Sequence, residues 1–137
     1  MTISVTDDLE TVLAIRRTVF IEEQGVTVED EVDGKDPHAI HLIATSNGNA
    51  VGTARLLMSG KVGKIGRVAV LKEARGTGLG KALVLFAVEE LSRRCAARAM
   101  LGAQTHAIGF CEALGFSVYG PEFLDAGIPH REMVREL

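Results

Sequence analysis

A chain of 137 residues is long enough for one domain with a real core, and 47% hydrophobic against only 4% aromatic residues makes that core one of Val, Leu, Ile and Ala. A net charge of −3 leaves no basic footprint for nucleic acid. Cys95 and Cys111 lack metal-ligand spacing, the N-terminal Met-Thr-Ile-Ser-Val has no basic flank, and no apolar run could span a membrane. The expectations are free thiols, no metal, no membrane and, by default, a cytoplasmic location.

Residues 2–5 read as a short strand. Asp7, Asp8 and Glu10 form the acidic first turn of a helix running to about Glu23, which Gln24-Gly25 ends. Residues 26–37 are acidic and irregular. Residues 39–45 and 50–58 read as strands joined by the hairpin turn Ser46-Asn47-Gly48-Asn49, and Ser59-Gly60 turns the chain into a long strand over 61–71. An Ala- and Leu-rich helix follows at 82–91, with Arg93, Arg94 and Arg98 around its solvated end, and then a strand at 99–103. A short helix at 106–114 is closed by Gly115, after which come a strand at 116–119, a loop at 120–129 and a final strand at 130–136. Without repeats or a linker, residues 1–137 are expected to be a single α+β domain.

Between the strand ending at Leu71 and the helix lies Arg75-Gly76-Thr77-Gly78-Leu79-Gly80-Lys81. Strand, glycine-rich turn and helix together present free backbone N–H groups to an anion. The first helical turn has no internal partner for its donors, and its dipole favours negative charge. The spacing rejects two common phosphate loops. A P-loop would need a glycine at Arg75 and a hydroxyl at Ala82, and a dinucleotide fingerprint would need Gly-x-Gly-x-x-Gly where Gly76, Gly78 and Gly80 strictly alternate.

Counted from Arg75, the pattern is Arg-x-x-Gly-x-Gly, which resembles the acetyl-coenzyme A loop of the GNAT N-acetyltransferase superfamily. The resemblance extends through Ala103-Gln104-Thr105 and the run from Gly109 to Phe116. Val19-Phe20-Ile21-Glu22-Glu23-Gln24 and the stretch from Glu122 to His130, ending Gly-Ile-Pro-His, are similar to the small bacterial ElaA/YjcF-like branch. The resemblance implies a mixed, strongly twisted sheet of six to seven strands, helices on both faces, and a V-shaped splay between the strands at 61–71 and 99–103. Acetyl-coenzyme A would be the cosubstrate. Its pantetheine arm would pair near Val68, Ala69 and Val70, and its pyrophosphate would lie on Arg75, Gly76, Thr77, Gly78, Leu79, Gly80 and Lys81. The acceptor would be the primary amine of a small molecule or peptide, attacking the thioester directly, with the Val70 N–H as oxyanion donor. A homodimer, common among relatives, belongs to the same expectation.

The proton-handling positions depart from the family pattern. Gly66 stands where relatives often carry a glutamate, and Cys111 where they carry the tyrosine acid. A thiol of ordinary pKa about 8.5, against about 10 for tyrosine, could protonate a leaving thiolate. The plainer alternative is that Cys111 is a small buried core residue. Base candidates are Glu23, the loop carboxylates Glu29, Glu31 and Asp33, and His41, each with a plain structural alternative. As a group the acidic loop is expected to border the acceptor site and favour a cationic amine. His106 and His130 carry no derivable mechanism at this level. The alternative function is a coenzyme A-binding regulatory or interaction module without acetyl transfer.

Overall fold

The alternation of β-branched residues in the first half of the chain builds four antiparallel neighbours. In the computed structural model, which describes residues 1–137, these are β1 (Thr2–Thr6), β2 (Ile40–Ser46), β3 (Asn49–Ser59) and β4 (Val62–Val70). β5 (Arg98–Gln104), β6 (Ser117–Asp125) and β7 (Ile128–Glu136) complete a seven-stranded sheet of order β1-β2-β3-β4-β5-β7-β6. Only the β4–β5 pair is parallel, and a long helix, α3 (Leu79–Arg93), makes the crossover. The mixed, seven-stranded α+β architecture is the one the family resemblance implies.

α3 buries Leu79, Leu83, Val84, Ala87, Val88 and Leu91, recurring at helical spacing along the face it lays on the sheet. Together with Leu42, Leu56, Ile65, Leu101 and Met133 they form the main core. At Gly63 the sheet and helix nearly touch: a Cβ there would lie 2.2 Å from a methyl of the fully buried Leu91. The opposite face is covered by α1 (Leu9–Arg16), whose Ile15 packs with Val19 and Ala69. Asp8 caps α1, its side chain accepting from the Thr11 N–H at 3.2 Å.

Three segments differ from the sequence reading. The helix expected to reach Glu23 is regular only to Arg16; residues Arg17–Glu23 wind as a wider π-helix, closed by a bond from the Gln24 N–H to the Val19 carbonyl. The acidic stretch holds one turn of helix, α2 (Val28–Glu31), capped by the Thr27 hydroxyl. The expected loop at 120–129 is instead most of a long hairpin. Its turn is Ala126-Gly127, with φ of 52° and 77°, the left-handed pair that a two-residue hairpin turn requires. Glycine supplies that conformation readily and alanine does not, so the turn carries no clear signal. The Asn47-Gly48 turn, with φ of 52° and 80°, carries the signal and is found where expected.

Candidate active site

The glycine-rich segment caps α3 from outside the sheet. Gly76 and Gly78 take φ of 77° and 83°, and Gly78 is the left-handed residue that precedes the helix. The first helical bond runs from the Ala82 N–H to the Gly78 carbonyl, so from Gly76 to Lys81 no N–H donates to another backbone group. A Cβ on Gly76, Gly78 or Gly80 would meet nothing within 4 Å, which leaves the surface over these donors open to a bulky anion. Of the residues nominated from spacing, Gly76 to Lys81 thus offer a run of free donors, a cradle of the kind an anion needs, whereas the Arg75 N–H is spent on the Lys72 carbonyl at 3.2 Å.

β4 and β5 stay in register only from Val62↔Arg98 to Ile65↔Leu101. Beyond Ile65 they separate, while β4 remains paired with β3 up to Gly52↔Val70. The Leu71 N–H bonds to the Val51 carbonyl at 2.8 Å, and antiparallel alternation then turns the N–H groups of Val68 and Val70 away from β3, toward the strand that has departed. The Ala69 backbone faces β3 instead. The opening is a cleft of about 610 Å³ lined by Gly66, Val68, Gly80, Leu101, Ala103 and Cys111, among others. It is large enough for a ligand arm and an acceptor.

Cys111 lies on α4 (Ile108–Glu112), in the wall of this cleft, and is 5% exposed. Burial pushes its thiol up, so it is protonated at neutral pH. Gly66 also lines the cleft, with nothing within 4 Å of where its Cβ would be. The site lacks a carboxylate on β4 because the position is empty, not because it is blocked. Glu23 is committed elsewhere: its carboxylate binds the guanidinium of Arg75, whose Nε donates to the Val70 carbonyl at 3.0 Å. This contact ties the end of the π segment to the first residue of the cradle, and Glu23 is not among the residues that line the cleft.

The acidic loop is not a solvated negative patch. Arg16, fully buried, holds Glu31 at 2.5 Å and Asp36 at 2.8 Å, and buried Arg55 holds Asp33 at 2.8 Å and Asp36 at 3.1 Å. Arg67 adds a third cation, donating to the Glu31 carbonyl at 3.1 Å and lying 3.4 Å from Asp33. Three arginines thus face three carboxylates, so the expected net field for a cationic amine does not arise from Glu31 and Asp33. The hydrogen bond from Arg55 holds Asp33 far below the usual carboxylate range. Burial pushes Asp36 up, but Arg16 and Arg55 outweigh it and the group is lowered. His41 is a strut of the same cluster, its Nε2–H donating to the Asp36 carbonyl at 3.0 Å. Glu29 remains exposed on α2.

Arg67 is the site residue that the sequence hides. It has φ of 50° at an irregularity where Arg67 and Val68 stand opposite Ala54 alone, between the pairs Thr53↔Ala69 and Arg55↔Gly66. Such a bulge re-aims a side chain, here into the cleft and onto the acidic loop. Nothing in Gly-Arg-Val-Ala-Val marks it, because the left-handed residue is the arginine and not its glycine neighbour. His106 and His130 both line the cleft, on the side formed by β5 and β7.

A GNAT acetyltransferase domain model matches residues 16–137. The N-acetyltransferase YjcF of Bacillus subtilis is 34% identical over 95% of this chain and 94% of its own. Among solved structures, an acyl-CoA N-acyltransferase from Pseudomonas aeruginosa superposes with a TM-score of 0.89 at 30% identity, covering 98% of this chain and 99% of that one. ElaA of Escherichia coli superposes with a TM-score of 0.85 at 28% identity, covering 98% and 100%. The chain belongs to the GNAT acetyltransferase family. It is an N-acetyltransferase of the small bacterial branch that includes YjcF and ElaA.

Proposed function

We propose that the protein transfers the acetyl group of acetyl-coenzyme A directly to the primary amine of a small molecule or peptide. The observation that carries this reading is the coincidence of two openings. Gly80, in the run of free N–H groups from Gly76 to Lys81, and Val68, on the unpaired edge of β4 that continues to Val70, line the same cleft. Acetyl-coenzyme A supplies an activated acyl group as its thioester.

The chain's own residues have distinct tasks in this reading. Arg75 to Lys81 bind the anionic end of the cosubstrate, and the outward backbone groups of Val68 and Val70 extend the sheet to its arm, with Ala69 fixing both by its bonds to β3. The Val70 N–H is aimed at the gap and is the donor for the carbonyl oxygen as charge develops there. Cys111, buried and protonated, holds a proton for the departing sulfur. Glu23 acts through Arg75: by holding the guanidinium it fixes the first residue of the cradle and the Val70 carbonyl together.

Thiol release from acetyl-coenzyme A, measured with panels of primary amines, sugars and carboxylic acids, tests the proposal. Turnover confined to amines is expected, and a preference for hydroxyl acceptors would contradict it. Cys111→Ala is expected to lower kcat with little change in KM for acetyl-coenzyme A; an unchanged kcat assigns Cys111 to the core alone.

A further inference from the structure

The cleft continues past the splay onto β5 and β7, where Gly102, His130 and Glu132 share one face. Gly102 pairs with Glu132, and Gln104 pairs with His130, so His130 and Glu132 flank the position where Gly102 has no side chain. His130 is 9% exposed, and its ring stacks on Phe123 with centroids 5.8 Å apart. Its Nδ1–H donates to the Ile128 carbonyl at 2.7 Å. A carbonyl only accepts, so in the neutral ring the proton sits on Nδ1, and Nε2 keeps its lone pair on a ring that lines the cleft. Glu132 shares one carboxylate oxygen with the half-exposed Lys64 at 3.1 Å, while its other oxygen is buried without a donor. Two unspent acceptors beside a missing side chain form a groove that suits a cation able to donate hydrogen bonds.

We infer that the Gly102–His130–Glu132 groove is where the acceptor's ammonium binds, and that His130 Nε2 removes its proton. This rests on the acetyl-transfer reading above and supplies the base that Gly66 lacks. The negative charge of Glu132 favours the ammonium on entry and the imidazolium afterwards. The other charged groups that share this part of the cleft are Lys64, His106 and Asp125. Nε2 takes one proton from R–NH₃⁺, and the freed lone pair forms the C–N bond at the thioester carbonyl. The C–S bond breaks with its electron pair going to sulfur, which takes the Cys111 thiol proton, and the amine's second proton restores the thiol. The imidazolium then returns the first proton to water, so ammonium and thioester become amide, thiol and one solvent proton.

Gly102 offers a way to close the groove without dismantling the sheet. A Cβ there would lie 3.5 Å from Phe123 and 4.0 Å from His130, ordinary contact distances, so Gly102→Val is expected to fold and to fill the space. The first readout is the ring nitrogen resonances of His130 in the coenzyme A complex, titrated with n-butylammonium. A saturable shift is expected in the wild type and none in Gly102→Val. The second is turnover of the best amine by His130→Gln, expected to fall about 10²-fold or more at neutral pH with coenzyme A affinity unchanged. That deficit should shrink as pH rises toward the amine's own pKa, because water then supplies the neutral amine; a merely structural loss would not recover. Stationary His130 resonances, full turnover in His130→Gln, or a deficit equal at every pH would overturn the inference. A shift of His130 with no turnover of any amine by the wild type would count against acetyl transfer while supporting the groove as an amine site.

Discussion

Arg16 shows how far one buried charge commits its surroundings. Its guanidinium is out of water, and Glu31 and Asp36 are its counter-charges. Replacing it by a methionine of similar length would leave two buried carboxylates short of a partner, and breaking a buried pair in this way costs about 3–5 kcal/mol. Arg16→Met is therefore expected to lower the urea midpoint sharply, and a midpoint near the wild type's would show the cluster to be dispensable. The same cluster sets the response to acid. Asp33 and Asp36 ionise more readily folded than at their ordinary value of 3.8, so the unfolded chain binds more protons in that range. Their stabilisation is complete above about pH 4 and is lost as pH falls through the folded values. Denaturant titrations should show stability contributed by these groups unchanged from pH 7 to 5 and falling below 4. None of this was legible in the chain as written. Arg16, Arg55 and Arg67 are far in sequence from Asp33 and Asp36, and an acidic loop reads as solvated until tertiary contacts bring its counter-charges to it.

At the scale of elements, β4 packs closely on α3 at one end and borders the open cleft at the other. β4 needs no side chain at Gly63 because Leu91 occupies that space, whereas Gly66, three residues on, faces open cleft. Gly63→Ala is expected to cost about 1–3 kcal/mol, as overpacking of a closed core does, while Gly66→Ala should leave the thermal midpoint nearly unchanged. Equal effects at the two positions would contradict the packing described. The strand–loop–helix unit around Arg75 was legible because periodicity changes across it and the alternating glycines reject competing loops. The β6–β7 hairpin was not, because its turn places alanine in a left-handed conformation and Gly120 and Pro121 read as breakers. Pro129 is tolerated in β7 because β5 ends at the Gln104↔His130 pair, so no donor is needed there.

For the whole molecule, the proposed reaction divides the sheet between its two ends. The cradle and the outward edge of β4 form the donor side, readable from spacing and resemblance. The acceptor side, as proposed, draws on β5, β7, the π segment and the bulge at Arg67, each weakly signalled alone. That division explains why the family was evident from sequence and the proton-handling groups were not: Gly66 and Cys111 replace the familiar markers, and the role proposed for His130 emerges only when the hairpin folds beside Gly102. It also separates two questions, cosubstrate binding and transfer, that paired measurements answer. Coenzyme A binding followed by calorimetry, run beside thiol release from acetyl-coenzyme A with a primary-amine panel, tests the central claim most directly. The account predicts saturable binding and amine-dependent turnover, both weakened by Gly78→Val in the cradle. Binding without turnover on any amine would make the protein a coenzyme A-binding module, and the absence of binding would remove the donor site itself.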